Sequence, residues 1–303
     1  MSICVIFNPA ARGDKARKFR GYLEKTRGDW ALKPTTGPGS ARRLATEAVQ
    51  DGFKTIVAAG GDGTLNEVLN GLSDAPGGFE SARLGVLPLG TINVFARELS
   101  VPLDVRKVWP LLESGSELRL DLGCAEYQTK IGPERRYFAQ LAGAGWDARS
   151  VELVNWELKK KIGPGAYVMA GFQALNGVRP KVTITCGSEK HSGELILIGN
   201  GRFYGGSFPI FHKGDLQDGI LDAVVFPTVN WQTLPGHLFD FVRGRLFKEG
   251  GSIYLQGREF FLESSEHAGL QLEGELVGEL PARVFVVPKA LRMVAPKVAT
   301  AAS

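Results

Sequence analysis

Residues 58–64, Ala-Ala-Gly-Gly-Asp-Gly-Thr, join a short apolar run to a helical pattern. Glycines in such a bend let the backbone approach an anion, and the free N–H groups of the first helical turn face it. The positive end of the helix dipole adds attraction for phosphate. Asp62 in the same bend would repel phosphate unless Mg²⁺ lay between them, and Mg²⁺ takes one or two carboxylates together with phosphate oxygens. The segment therefore carries the donor set of a metal–nucleotide site. A plain strand–helix turn with Asp62 as a structural cap accounts for the same residues, and both readings stand at this point.

Two further turns have similar chemistry. Asn8-Pro9, with Gly13, closes the run Ile3–Phe7 and leads to Arg12, Lys15, Arg17 and Lys18. Pro88-Leu89-Gly90-Thr91-Ile92-Asn93 closes the run Leu84–Leu87. These elements alternate between strand and helix. After the first strand comes a basic helix with Phe19 and Leu23 one turn apart; after Thr55–Ala59 comes a helix with Leu65, Val68, Leu69 and Leu72 on one face. Thr64 and Glu67 have capping-box spacing, which predicts the start of that helix. A short helix is expected after Asn93, ending before Pro102. The alternation predicts a parallel α/β sheet, whose ligands bind outside the carboxyl ends of the strands, where all three turns lie.

Beyond about residue 121 the texture changes. Short strands are expected near 136–141, 181–186, 193–198, 220–226, 252–256, 259–263, 269–273 and 283–287, interrupted by helical patterns over 150–177 and 230–246. That spacing predicts a β-rich second domain of sandwich type. Asp215 and Asp218, three apart with carbonyls between, suit a hard cation, although an Asp- and Gly-rich polar turn has the same composition. Gly143-x-Gly145-x-x-Ala148 lacks the βα unit and acidic residue of a dinucleotide fingerprint and reads as a backbone turn. The chain has no Walker A pattern and no serine nucleophile elbow, and His191, His212, His237 and His267 lack metal-ligand spacing.

A formal charge of +4 on 303 residues is too small and dispersed for nucleic acid, but it permits contact with an anionic membrane face. Cys4, Cys124 and Cys186 lie far apart, which fits a reducing compartment. The N-terminus has no signal-peptide pattern, so a cytoplasmic protein is expected. Ile162–Val178 is uncharged, yet its four glycines, Pro164, Gln173 and Asn176 suit a core-packed helix better than a membrane span.

In order along the chain, several segments resemble the diacylglycerol kinase catalytic-domain family, which includes bacterial diacylglycerol kinases and sphingosine kinases. They are Asn8-Pro9 with Gly13, Gly60–Val68, Pro88–Arg97, Gly143–Ala148, Gly199-Asn200-Gly201, Asp218–Asp222, Leu272–Glu275 and Pro288–Leu291. The Gly-Gly-Asp-Gly-Thr element is shared with NAD kinases; the Pro-Leu-Gly-Thr-x-Asn and C-terminal pieces are not. The resemblance implies an α/β nucleotide-binding domain over 1–121, to which a segment near 289–298 returns. It also implies a β-sandwich lipid-substrate domain over 122–288, with the active site in the cleft between them.

It further implies an ATP- and Mg²⁺-dependent lipid kinase, peripheral on the membrane that supplies a lipid such as diacylglycerol; a homodimer is compatible with it. Asn8, Gly60, Gly61, Asp62, Gly63, Thr64, Gly90, Thr91 and Asn93 would hold the nucleotide. Asp215 and Asp218 correspond to a structural metal loop. Glu275, matched to the family's Asp-Gly-Glu element, would be the general base, with Asp62 as the rival base. At the first position of that element this chain has Glu273 in place of Asp, which could shift whatever that carboxylate orients. A kinase of a soluble acceptor such as NAD, or a catalytically silent nucleotide- or lipid-binding regulator, are the competing readings.

Overall fold

The computed structural model describes residues 2–11, 18–19, 21, 30–114, 117–153, 180–233 and 251–296. The chain divides into two compact units, one of 1–122, 205–207 and 288–303, the other of 123–204 and 208–287. In chain order the first unit contains β1 (Ile3–Phe7), β2 (Trp30–Pro34), α1 (Ser40–Gln50), β3 (Thr55–Gly60), α2 (Asp62–Asp74), α3 (Gly78–Ser81), β4 (Arg83–Pro88), α4 (Val94–Glu98) and α5 (Val105–Ser114). Next come β5 (Glu117–Thr129), β6 (Gly132–Phe138), β7 (Leu141–Gly145), α6 (Trp146–Glu152), β8 (Val182–Cys186), β9 (Glu189–Gly193), β10 (Leu195–Gly199) and β11 (Leu221–Phe226). The chain closes with β12 (Ile253–Gly257), β13 (Glu259–Ser264), β14 (Gly269–Leu272) and β15 (Glu275–Val294).

The strands of the first unit pair in parallel in the order β2-β1-β3-β4, and the end of β15 joins beside β4 through Met293 and Leu84. β1, β3 and β4 are buried along their whole length. Continuous apolar runs of this kind, with no polar face, belong to a sheet covered on both sides. α2 buries Leu65, Val68, Leu69 and Leu72, the face that the spacing predicts. Gly71 lets α1 lie close, since a Cβ there would strike the carbonyl of Arg42. α1 meets it with the small side chains of Ala41, Ala45 and Ala48.

The capping box is not formed. α2 begins two residues before Thr64, with Gly61 as N-cap and no side-chain cap. Glu67 instead reaches α1, where its two carboxylate oxygens accept the N–H groups of Gly39 and Ala41, each at 2.9 Å. Local spacing could not reveal this, because those amides lie 26 and 28 residues away in sequence.

The second unit is a β-sandwich. One sheet runs β12-β11-β10-β7-β14 to the start of β15, all antiparallel. The other contains β6-β5, the middle of β15, β13, β8 and β9. Alternate residues of both sheets form a shared core that includes Tyr127, Phe138, Ile196, Ile198, Val225, Phe260, Leu270 and Val284. The strand expected near 283–287 and the start of the returning segment expected near 289–298 are parts of one strand, β15. It is 20 residues long and pairs in turn with β14, β13 and β4. The strand expected over 136–141 is split by a turn at Ala139-Gln140 between β6 and β7. Helix α6 opens the pattern expected over 150–177; the rest of that pattern, residues 234–246 of the next, Arg12, Gly13, Lys15, Arg17, Leu23 and Ile162–Val178 lie outside the described residues.

Within the first unit the last part of β15 is anchored by polar bonds. Arg292 pairs with Glu117 at 2.8 Å and donates to the Glu80 carbonyl at 2.6 Å. The N–H of Lys289 donates to the buried Asp121 at 2.6 Å. The Arg292 guanidinium, through its hydrogen bonds, holds the Glu117 carboxyl below its ordinary range. A carboxyl lowered in the folded state stabilises above its unfolded pKa, and that contribution disappears as pH falls through the folded value. Arg292→Met is therefore expected to cost about 1–2 kcal/mol near pH 7, where both the ion pair and the carbonyl bond are lost. The difference from wild type should shrink on acidification below the usual glutamate range, as read by urea unfolding at the two pH values.

Candidate active site

Three strand ends meet in the first unit. β3 ends at Gly60, and the first intrahelical bond of α2 runs from the Leu65 N–H to the Gly61 carbonyl at 3.0 Å. The amides of Asp62, Gly63 and Thr64 thus precede the ladder, which is the arrangement that binds anions at a helix start. Asn8, just past β1, is fixed by its N–H to the Ala59 carbonyl at 2.9 Å, and its side-chain amide donates to Thr64 Oγ1 at 3.2 Å. At the end of β4, the N–H groups of Leu89 and Gly90 donate to the Gly60 carbonyl at 2.9 and 3.1 Å.

The glycines are required by proximity. A Cβ on Gly90 would lie 2.5 Å from the Gly61 Cα and 2.7 Å from Asn93 Oδ1, and one on Gly60 would strike Thr64 Oγ1. Gly61 and Gly90 thus let two loops touch backbone to backbone, and Gly60 makes room for the Thr64 side chain.

Asp62 and Asn93 act on the loop itself. The Asp62 carboxylate faces the start of α4, where the backbone N–H groups of Val94, Phe95 and Asn93 favour its charge. Desolvation in this bend pushes its carboxyl above the ordinary range, and those amides pull it back. The Asn93 backbone is left-handed (φ 54°), a conformation Asn tolerates better than most residues. Its side chain closes on Gly90, accepting from the N–H at 3.1 Å and donating to the carbonyl at 2.8 Å. Thr91, between them, is exposed.

A carboxylate offers about four lone-pair sites. The half-exposed Asp62 carboxylate, at the helix start that faces an anion, suits a Mg²⁺ held together with phosphate oxygens. Asp215 and Asp218 each close a small turn, accepting from the N–H of Gln217 and of Ile220, both at 3.0 Å. Tyr254 steadies the same loop, donating to Asp222 at 2.6 Å and accepting from the Lys213 N–H at 3.2 Å. Among the described residues, no group of three or more His, Cys, Asp or Glu is gathered to hold a metal ion.

In the second unit, Glu275 begins β15, and Arg136 on β6 donates to its Oε2 at 2.8 Å. The turn before it contains Glu273 and Gly274, both with positive φ (53° and 77°), the signature of a two-residue hairpin. Glu273 spans back to the β6–β7 turn, where Oε1 accepts the N–H groups of Ala139 and Gln140 at 2.8 and 2.7 Å. Its carboxylate therefore holds backbone.

Two family models match the chain. The diacylglycerol kinase catalytic domain matches residues 2–125, and the YegS C-terminal NAD kinase beta sandwich-like domain matches residues 140–295. This chain belongs to the diacylglycerol kinase family, which places it among the lipid kinases. A diacylglycerol kinase of Bacillus subtilis is 30% identical over 301 residues, 97% of this chain and 96% of that one. A Pseudomonas aeruginosa protein named "Probable lipid kinase YegS-like" is 31% identical over 296 residues, 96% of this chain and 93% of its own. A crystal structure of a diacylglycerol kinase from Bacillus anthracis superposes with a TM-score of 0.74 at 23% identity, covering 98% and 97% of the two chains. The sequence patterns did not single out Glu67 as a strut for α1 or Arg136 as the partner of Glu275. Both bonds join distant segments, so no local spacing encodes them.

Asn93→Ala in this family member should remove both side-chain bonds that close the second loop on Gly90. Hydrogen exchange of a 91–97 peptide should then accelerate about tenfold or more, while β8 and β13 keep their protection.

Proposed function

We propose that this family member transfers the γ-phosphoryl group of ATP to the hydroxyl of a membrane lipid such as diacylglycerol. The contact of the Gly60-Gly61 bend with Gly90, at the amide-rich start of α2, carries the reading. It leaves backbone N–H groups, and no side chains, where phosphates would approach. The lipid kinase class of the family supplies the acceptor chemistry.

In this reading the lipid hydroxyl oxygen attacks the γ-phosphorus, the bond to the bridging oxygen breaks, and ADP leaves. Such a transition state is loose, and catalysis is mainly positioning and charge stabilisation. The amides of Gly63 and Thr64, with Asn8 and Thr64 fixing one another, hold the phosphates. Glu275 takes the hydroxyl proton. It is the better candidate of the two carboxylates, because Asp62 lies at the helix start that faces the phosphates, whereas the Glu275 side chain is 39% exposed and paired with Arg136. Mg²⁺ would supply charge neutralisation on the nucleotide phosphates. No helix among the described residues is long and apolar enough to cross a membrane, and the reading has the lipid taken from a membrane surface by peripheral contact.

The test is transfer of labelled γ-phosphate from ATP to a panel of lipids in mixed micelles, with NAD as a parallel acceptor and Mg²⁺ titrated. Label in a lipid and none in NAD is expected. Label in NAD alone would favour a soluble acceptor, and nucleotide binding without transfer would favour a regulator. Glu275→Gln should lower kcat by about 10²–10⁴-fold, the range for a lost general base, with ATP affinity within about twofold of wild type. A near-normal rate would remove Glu275 from the mechanism.

A further inference from the structure

The Glu273-Gly274 turn is held from a second side by a buried polar chain that the reaction described above does not use. Gln271 on β14 pairs across the sheet with Gly143 on β7. Because Gly143 has no side chain, the Gln271 amide can pass over it to Asp147, in the first turn of α6. A Cβ on Gly143 would lie 2.7 Å from Gln271 Nε2 and would strike Asp147 Oδ2. Gln271 Nε2 donates to Asp147 Oδ2 at 2.6 Å, and the Tyr204 hydroxyl donates to Asp147 Oδ1 at 2.7 Å. At its other end, Gln271 Oε1 accepts the N–H of Gly274 at 2.7 Å. Gln271 and Asp147 are 1% and 4% exposed, so these bonds form out of water.

The arrangement has a direction. A glutamine amide can present oxygen or nitrogen to either side, and the wrong orientation would set its NH₂ against the Gly274 N–H. An ionised carboxylate only accepts, so Asp147 admits one orientation, with the oxygen toward Gly274. The register of β14 on β15 slips between Leu270 and Gln271, a bulge of the kind that re-aims a side chain. Burial pushes the Asp147 carboxyl above its ordinary range, with the Tyr204 and Gln271 bonds opposing that push. Holding a carboxylate there is costly, and an apolar side chain would fill the space without that cost.

We propose that Asp147 and Gln271 are positioning residues for phosphoryl transfer: Asp147 orients the Gln271 amide, and Gln271 fixes the turn from which Glu275 enters β15. The inference rests on the reading of Glu275 as the base. A misplacement of about 1 Å can cost on the order of 10²-fold in rate, so the turn needs more than its two-residue hairpin to hold it. Glu273 secures one flank through Ala139 and Gln140, Gln271 secures the other, and Arg136 holds the carboxylate itself.

The test uses the full chain and the lipid-labelling assay, with Gln271→Met, Glu275→Gln and their combination. Gln271→Met keeps the length and removes both bonds. It should lower kcat about 10–100-fold with nucleotide affinity unchanged. In the Glu275→Gln background it should cause less than a twofold further loss, because the position of an absent base no longer matters. Asp147→Asn, the milder change, should lower kcat about three- to tenfold with the unfolding temperature within a few degrees of wild type. Equal losses from Gln271→Met in both backgrounds would show a merely structural role and overturn the proposal. So would full activity of Asp147→Asn together with Gln271→Met, or an Asp147→Asn loss that only follows a fall in unfolding temperature. If Glu275→Gln itself turns over normally, the base reading fails first, and that outcome is distinct from an inactive Glu275→Gln whose loss simply multiplies with that of Gln271→Met.

Discussion

The first unit is organised around one main-chain acceptor, the Gly60 carbonyl, which takes the N–H groups of both Leu89 and Gly90. Those bonds tie the loop after β4 to the bend after β3, and Gly61 and Gly90 must then face each other without side chains between them. Asn93 then closes the loop on itself. Glycines at these positions are thus consequences of a packing distance as much as of a ligand. The two effects agree, since the backbone left bare by the glycines is what a phosphate group can approach.

Carboxylates brace main chain at several places. Glu67 satisfies two amides at the start of α1, Glu273 two amides between β6 and β7, and Asp121 the amide of Lys289. Each is a charge-assisted bond from a carboxylate to main chain, stronger than a neutral hydrogen bond and specific about geometry. Each joins segments far apart in sequence. They act as struts that fix loops, so a carboxylate in a suggestive motif need not be a metal ligand or a base. Glu273 illustrates the point: at the position where the family pattern has Asp, its longer side chain spans to two amides.

Much of the fold was legible because it follows from short-range rules. Fully apolar runs ending in Gly, Asn or Pro predicted β1, β3 and β4 and their parallel arrangement, and period-3.6 spacing found the buried face of α2. Closely spaced strands beyond residue 121 predicted the sandwich. The misreadings share one cause. The capping box at Thr64 and Glu67 failed because Glu67 found donors 26 and 28 residues away. β15 was read as separate pieces because its partners change along its length, so no single alternation runs through it.

By itself the sequence determined which residue types stand at the ends of which strands, and with them the family and the class of chemistry. That information is local, encoded in composition and spacing over a few residues. Only the tertiary structure decided what each polar group does: that Glu67 holds α1, that Arg136 meets Glu275, and that Gln271 reaches Asp147 across a glycine. A hydrogen bond depends on positions to within tenths of an ångström, and those positions are set by how distant elements pack.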